Sequence, residues 1–199
     1  MKIIQEVPII SCGGFEESDK WPIIRAEIRE AISLIVHPPN TGSFTINPTK
    51  NGNGVKPIKD KCMTALRDKF GWGLETKIQY ATRSRSPGRV DATKVIDDYL
   101  FALEWETGNI SSSHRAINKM VLGLIRRVFL GAVLILPSRN LYNYLTDRIG
   151  NFEELEPYFD VWRAVQLEEG FLLIFVIEHD QIDSNVPKIR KGTDGRALV

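Results

Sequence analysis

Apolar residues recur at helical spacing in two regions of the first half of the chain. The first stripe follows Pro22 and consists of Ile24, Ile28, Ala31, Ile32 and Ile35. The second follows Pro57 and consists of Ile58, Cys62, Ala65, Leu66 and Phe70. Residues three and four positions apart share one helix face, and proline suits the first turn. We therefore expect two amphipathic helices, separated by the Gly- and Asn-rich loop of residues 40–54.

Strand patterns dominate the middle of the chain. Residues 90–96 and 99–106 are interpreted as adjacent strands joined by a turn at Asp97 and Asp98. Because strand side chains alternate between faces, the second strand presents two different sets. One face carries Phe101, Leu103 and Trp105, and the other carries Ala102, Glu104 and Glu106. Two uniformly apolar runs, residues 128–136 and 171–177, are typical of central strands buried on both faces.

Further helices are expected around these strands. One begins at Ser111 or Ser112, whose hydroxyls suit an N-cap, and its inward stripe is Ala116, Ile117, Met120, Val121 and Leu124. Another covers residues 139–149, and a third begins near Asn151, which has capping-box spacing to Glu154. The polar tail, about residues 184–199, is expected to be irregular. No repeat or linker is visible, so we predict one α/β domain over residues 1–199, with a central mixed sheet flanked by helices.

The composition is that of an ordinary soluble protein. The chain has 199 residues, of which 43% are hydrophobic and 26% charged, enough for one domain with a sizeable core. No secretory signal is visible, and the longest apolar run, residues 128–136, is shorter than the roughly 20 residues that span a bilayer. Cys12 and Cys62 form no disulfide framework or metal motif. We expect a cytoplasmic protein with no membrane partner.

Charge is distributed unevenly, although the net charge is only +1. Residues 107–148 contain six basic side chains and one acidic one, whereas residues 149–180 contain eight acidic and one basic. This asymmetry indicates one surface for an anionic partner and another that faces elsewhere. The alternative is that both are ordinary solvated helix faces.

Three carboxylates can meet where the two predicted strands of the middle region lie side by side. Asp91 begins the first strand, and Glu104 and Glu106 end the second. Hard cations such as Mg²⁺ take carboxylate oxygens and keep other positions for water or phosphate, and such a site can hydrolyse a phosphodiester. The alternatives are a strand with one wet face, or a glycosidase carboxylate pair. Basic neighbours and the lack of visible aromatic sugar platforms disfavour the glycosidase.

A basic loop precedes the first of these strands. Residues 82–89 read TRSRSPGR, with Arg83, Arg85 and Arg89 and no acidic residue. The loop is interpreted either as a phosphate contact or as the solvated tip of a hairpin.

Four sequence blocks closely resemble the BamHI family of type II restriction endonucleases. They are EWETGNISSSHRAINKMVLGL (residues 104–124), FTINPTKNGNGVKPIKDKC (44–62), YLTDRIGNFEELEPYF (144–159) and SNVPKIRKGTDG (184–195). Their order and approximate spacing match, and they cover most of the chain from about Phe44 to Gly195. The resemblance implies a sheet core of the PD-(D/E)xK nuclease kind, a homodimer, Mg²⁺ dependence and cleavage of double-stranded DNA within GGATCC.

The resemblance also implies roles for individual acids. Asp91 and Glu104 would bind metal, and the backbone carbonyl of Trp105 would be a further ligand. Glu106 stands where most relatives of the superfamily place a lysine, and would orient or deprotonate the attacking water. Glu75 matches an additional acid near the metals, with a plain surface carboxylate as the alternative.

DNA contacts are implied in the same way. The major-groove set is Asn109, Ser111, Arg115, Asp147 and Arg148. Gly192 and Asp194 match a minor-groove segment, and Lys59 matches a basic residue near the DNA. The chemistry agrees, because arginine pairs with guanine, aspartate accepts from the cytosine amino group and asparagine suits adenine. Without the resemblance, Asp147 and Arg148 would be interpreted as a surface ion pair.

A palindromic site is read by two copies of one surface. The helix beginning near Ser111 and the acidic helix after Asn151 are therefore expected to form the dimer contact. The rival function is a non-catalytic, sequence-specific DNA-binding protein on the same scaffold. It would need Arg115 and Arg148 but not the three acids, Asp91, Glu104 and Glu106.

Overall fold

A six-stranded mixed sheet forms the centre of the computed structural model, which describes residues 1–79, 87–146 and 149–192. In chain order the strands are β1 (Lys2–Cys12), β2 (Thr45–Ile46), β3 (Gly73–Lys77), β4 (Arg89–Ile96), β5 (Tyr99–Trp105), β6 (Phe129–Pro137), β7 (Gly170–Glu178) and β8 (Gln181–Ile182). The large sheet has the order β1-β7-β6-β5-β4-β3. Its middle pairs, β5–β6 and β6–β7, are parallel, and the pairs toward both edges are antiparallel.

Helices cover both faces of this sheet. They are α1 (Lys20–Ser33), α2 (Lys56–Phe70), α3 (Ile110–Ile125), α4 (Arg139–Tyr142), α5 (Phe152–Leu155) and α6 (Phe159–Arg163), with a 3₁₀ turn at Glu156–Tyr158. The apolar faces of α1 and α2 pack with Phe101, Leu103 and Trp105 of β5. Those of α3, α5 and α6 pack with the opposite side of the sheet, including Ala102. The predicted class, a central mixed sheet flanked by helices, is confirmed.

The prediction for the two middle strands is also confirmed. β4 and β5 are antiparallel neighbours, paired from Ala92–Leu103 to Ile96–Tyr99. Asp97 lies in the turn with a φ of 52°, a left-handed conformation that aspartate tolerates better than most residues. The uniformly apolar runs form β6, which pairs in parallel with β5, and β7, which pairs in parallel with β6.

Of three helix predictions, two need correction and one is confirmed. The helix expected over residues 139–149 ends at Tyr142, because the next residues bond to the loop before α2 instead of continuing the helix. α3 begins at Ile110, and its N-cap is Asn109 rather than Ser111 or Ser112. The expected cap at Asn151 is confirmed, since its side chain accepts the Glu154 amide hydrogen.

Two strands of the six-stranded sheet, β1 and β3, were not predicted from the apolar pattern. β1 lies at one edge of the sheet, contains Pro8 and shows two register shifts against β7. β3 lies at the other edge and alternates only between exposed and half-buried positions. Across the described ranges, no helix is both long enough and apolar enough to cross a membrane.

Candidate active site

The register of β4 and β5 brings two carboxylates together at the end of the ladder. Ala92 pairs with Leu103, so one residue further along, Asp91 faces Glu104. The Trp105 amide there donates to Asp91 Oδ2 at 2.8 Å. At the position where the β4–β5 ladder ends, the Asp91 side chain thus accepts the amide hydrogen of the neighbouring strand.

Two lysines reach this acid pair from opposite faces of the sheet. Lys59 of α2 places its Nζ 2.6 Å from Asp91 Oδ1. Lys119 of α3 forms an ion pair with Glu104 Oε1 and donates to the Arg89 carbonyl at 2.5 Å. All four charged side chains are at most 18% exposed. Each buried carboxylate therefore has its own counter-charge, which reduces the cost of removing it from water.

The charged form of Glu104 has a less favourable environment than that of Asp91. Its residue is 7% exposed, and burial, followed by repulsion from the Asp91 carboxylate, raises its pKa despite the opposing effect of Lys119. Although the Lys119 ammonium is close to Oε1, no donor among the described residues reaches this atom with hydrogen-bond geometry. Oε1 is thus a buried oxygen whose charge is balanced by the Lys119 ammonium alone.

Glu106 lies directly after β5 and folds back on its own loop. Its Oε1 accepts the amide hydrogens of Thr107 at 2.9 Å and Gly108 at 2.6 Å. Burial raises the pKa of this carboxyl, and the two amide hydrogen bonds oppose the shift. The two amides fix the carboxylate in place while its second oxygen carries no described bond.

These groups line an open cleft with about 500 Å³ of empty space. Its walls are Lys59, Arg89, Asp91, Glu104, Trp105, Glu106, Thr107, Ser112, Arg115, Ala116 and Lys119. Four of these residues, numbers 112, 115, 116 and 119, have the spacing of one helix face, so α3 presents a continuous stripe to the acids. Sequence reasoning missed Lys119, although it lies four residues after Arg115 on the same face.

The predicted metal ligands fit a hard divalent cation in part. Among the described residues, no three acidic, histidine or cysteine side chains converge closely enough to hold a metal by themselves. Mg²⁺, however, commonly binds through one or two carboxylates and completes its shell with water and substrate phosphate. Asp91 and Glu104 supply two such carboxylates, which face each other at the end of the ladder and are each paired with one lysine. The donor set therefore suits a cation whose other ligands come from water and DNA.

Glu75 lies beside this pair rather than inside the cleft. β3 pairs with β4 on either side of Glu75, through Leu74–Ala92 and Thr76–Val90, so Glu75 faces Asp91 across the strands. Its side chain is exposed, and its φ of 50° is a left-handed value that costs free energy for a residue other than glycine. The Arg89 guanidinium donates to the Glu75 carbonyl at 3.0 Å.

The predicted DNA-reading residues of α3 lie at its exposed start. Asn109 caps the helix by accepting the Ser112 amide hydrogen at 3.1 Å, and Ser111 is exposed. Arg115 is exposed too and donates to the Ser112 hydroxyl at 3.1 Å. The cap thus orders the turn that carries two of the predicted major-groove residues.

The remaining predicted contacts are only partly described. Gly192 is half-buried and has open space where a side chain would stand. Asp147, Arg148 and Asp194, and the loop residues Arg83 and Arg85, lie outside the described residues.

The family model for "Restriction endonuclease BamHI" matches residues 1–196 of this chain. The chain belongs to this family. Members are type II restriction enzymes, which are site-specific deoxyribonucleases, and the predicted family and enzyme class are confirmed. The match begins at residue 1, well before the first block on which the resemblance was based.

Two curated relatives agree with the BamHI-family assignment. The chain is 58% identical to "Type II restriction enzyme OkrAI" of Oceanobacter kriegii over 177 residues, covering 89% of this chain and 90% of the relative. It is 40% identical to "Type II restriction enzyme BamHI" of Bacillus amyloliquefaciens, covering 85% and 80%.

A solved structure, restriction endonuclease BglII complexed with a DNA 16-mer, is similar to this chain in fold. The TM-score is 0.61 at 14% sequence identity, over 95% of this chain and 88% of the other. At that identity the likeness supports the shared fold only.

Proposed function

We propose that this BamHI-family member is a Mg²⁺-dependent homodimer that cuts both strands of DNA at GGATCC by phosphodiester hydrolysis. The observation that carries the proposal is the Asp91–Glu104 pair at the end of the β4–β5 ladder. It lies in a cleft that also contains Lys59, Lys119 and Arg115. Buried acids and basic side chains on the same cleft wall suit a site that must hold a cation and a phosphate together.

Each acid would have a different role in catalysis, according to its position. Asp91 and Glu104 would bind Mg²⁺, with the Trp105 carbonyl as a further ligand and Glu75 close by. The cation would polarise the scissile phosphate and lower the pKa of bound water. Glu106 would orient or deprotonate the attacking water through the oxygen that Thr107 and Gly108 leave unused. Its raised pKa makes it a better proton acceptor.

The basic side chains would receive the DNA. Lys59 and Lys119 pair with the two acids, and a phosphate is an alternative partner for either ammonium. Arg89 also lines the cleft and belongs to the predicted basic loop. Cation binding to the acids and phosphate binding to the lysines would therefore each break the same two ion pairs.

Sequence reading would come from groups outside the acid pair. We assign Asn109, Ser111, Arg115, Asp147 and Arg148 to the major groove, and Gly192 and Asp194 to the minor groove. A good bidentate contact from arginine to guanine discriminates against a wrong base by about 1–3 kcal/mol. The exposed positions of Asn109, Ser111 and Arg115 at the start of α3 support this assignment.

A homodimer would place one active site on each strand of the palindrome. α3 and the segment from α5 to α6 remain the proposed contact. The ring of Tyr158 lies 4.6 Å from that of His114 on α3, and Tyr158 and Val161 are 49% and 65% exposed. Large apolar side chains left exposed together on one surface commonly mark an interaction site.

The test is digestion of a plasmid of known sequence with Mg²⁺, followed by sequencing of the fragment ends. Discrete fragments that all end within GGATCC are expected, and none without a divalent cation. Random degradation would refute site specificity, and discrete ends at another sequence would refute GGATCC. Specific binding without cleavage would favour the non-catalytic rival. Sedimentation of the DNA-bound protein would separately give one or two protomers per site.

A further inference from the structure

Asn53 lies at a junction of three chain segments in the loop before α2. Its residue is fully buried, with 0% exposure. Its side-chain Nδ2 donates to the carbonyls of Asn47 and Tyr144, both at 2.9 Å, and its Oδ1 accepts the Ile189 amide hydrogen at 3.0 Å. Only one orientation of the amide satisfies all three partners.

The first segment held here is the one that leads to Asp147. The Asn53 amide donates to the Tyr144 carbonyl at 3.0 Å, and the Asn53 carbonyl accepts from Thr146 N at 2.7 Å. The Thr146 hydroxyl donates to the same carbonyl at 2.9 Å. Asn53 therefore fixes the backbone directly before the proposed major-groove pair.

The second segment is the tail that leads to Gly192. Besides the Ile189 bond to Asn53 Oδ1, the Gly54 amide donates to the Ile189 carbonyl at 2.9 Å. The approach is so close that a Cβ on Gly54 would stand 2.1 Å from the Arg190 carbonyl oxygen. The tail is thus seated on the loop three residues before the proposed minor-groove contact.

The third segment is α2, which begins at Lys56, three residues after Asn53. One turn into this helix, Lys59 pairs with Asp91 of the active site. The same short loop therefore connects both reading segments with a helix that contacts the acids.

We propose that Asn53 is a positioning residue for specificity, whose buried amide holds the segments before Asp147 and before Gly192 in one arrangement relative to α2. The inference rests on the proposed function, because it assumes that these two segments read DNA. Asn53 itself touches no base. Because Asn53 orders both segments before they contact the major and minor grooves of DNA, it reduces the entropic cost of specific binding.

The chemistry of the junction accounts for asparagine at this position. Two carbonyls and one amide hydrogen must be satisfied from a single buried side chain, which asparagine does with its two donors and one acceptor. Aspartate has the same shape and keeps the acceptor for Ile189, but it opposes the Asn47 and Tyr144 carbonyls with a second oxygen. Asn53→Asp is therefore a matched change that breaks two of the three bonds.

The experiment measures binding without divalent cation to a GGATCC duplex, to each singly substituted duplex and to an unrelated duplex. For Asn53→Asp we expect the preference for GGATCC over substituted sites to fall by at least about tenfold, equivalent to 1.4 kcal/mol. Binding to the unrelated duplex should change by less than about twofold, because phosphate contacts dominate non-specific binding. Thr146→Val removes only the hydroxyl bond to the Asn53 carbonyl and should disturb folding less. It should show a smaller loss of preference for GGATCC.

Ile28→Ala is the control for lost stability, because it truncates a fully buried residue of α1. The inference is overturned if Ile28→Ala lowers the melting temperature as much as Asn53→Asp does and also loses as much preference for GGATCC. An unchanged preference in both Asn53→Asp and Thr146→Val would overturn it too. If the parent protein itself shows no preference for GGATCC, the proposed function fails instead, and the two failures are distinguishable.

Discussion

Two buried glutamates lie near the ends of β5 and β7, the strands on either side of β6, and have opposite surroundings. Glu104 near the end of β5 and Glu178 at the end of β7 are 7% and 6% exposed. Glu178 accepts hydrogen bonds from the Ser138 hydroxyl and from the His179 amide, the latter at 3.0 Å. Glu104 Oε1 has a lysine counter-charge and no hydrogen bond among the described residues.

Their pKa values move in opposite directions. Burial alone would raise the pKa of Glu178, but the hydrogen bonds from His179 and Ser138 outweigh it and lower the pKa. For Glu104, burial and the charge of Asp91 outweigh Lys119 and raise the pKa. Burial therefore does not distinguish a structural acid from a functional one. The two acids differ instead in what faces their buried oxygens, which is hydrogen-bond donors for Glu178 and a second carboxylate with a lysine for Glu104.

The largest expected difference between the two acids is in catalysis. Glu104→Gln should lower the initial rate of plasmid cleavage by at least about 100-fold, since changing groups that merely support metal ligands costs roughly 10–100-fold. Glu178→Gln, the same chemical change, should leave the rate within about threefold of the parent at a temperature where both variants are folded. Equal losses of cleavage rate in the two variants would show that Glu104 has no catalytic role that Glu178 lacks.

Stability should respond in the reverse order. Glu178→Gln replaces one of the two carboxylate oxygens with an amide donor, which opposes either the Ser138 or the His179 donor, and should lower the free energy of unfolding by about 1–3 kcal/mol. Glu104→Gln removes the repulsion from Asp91 together with the Lys119 ion pair, and because burial and Asp91 outweigh Lys119, it should leave the free energy of unfolding equal or higher. Urea unfolding of the metal-free proteins at neutral pH measures both, and a clear destabilisation by Glu104→Gln would contradict this account.

A smaller effect should appear in the pH dependence of stability. The folded-state pKa of Glu178 is lowered, so its contribution is present above the unfolded value of about 4.3 and is lost as pH falls through the folded value. The stability difference between the parent and Glu178→Gln should therefore shrink as pH is lowered from 6 toward 3. A difference that grows on acidification would show that the sign of the pKa shift is wrong.

The smallest expected effect concerns the basic surroundings of the Glu104 cleft. If Arg89 meets a phosphate, Arg89→Ala should reduce the slope of log affinity against log salt by about one unit for every duplex. Arg127→Ala is a matched control, because Arg127 is exposed, pairs with Glu168 and is not among the residues that line the cleft. Equal slopes for parent and Arg89→Ala would return Arg89 to a purely structural role beside Glu75.

The acid pair could be predicted from the sequence because its determinants are local. Period-two alternation separated Glu104 from the apolar face of β5, and a short turn made β4 its antiparallel neighbour. These two facts bring Asp91 opposite Glu104 without any knowledge of the rest of the fold. The family resemblance then added roles that spacing alone does not supply.

The partners of these acids could not be predicted in the same way, because they depend on contacts between distant parts of the chain. Lys59 and Lys119 approach from opposite faces of the sheet, and their convergence requires the sheet order. The bonds from Asn53 to Tyr144 and Ile189 span 91 and 136 residues. β1 gave no clear signal because edge strands tolerate proline and register shifts.

The most direct test of the central claim separates binding from chemistry at Asp91. Parent, Asp91→Asn and Glu178→Gln are each saturated with a GGATCC duplex without divalent cation, and strand cleavage is followed after Mg²⁺ is added. We expect Asp91→Asn to bind the duplex and to cleave at least about 100-fold more slowly, while Glu178→Gln cleaves at nearly the parent rate. Cleavage by the Asp91→Asn complex at the parent rate would contradict the assignment of this acid pair as the catalytic centre.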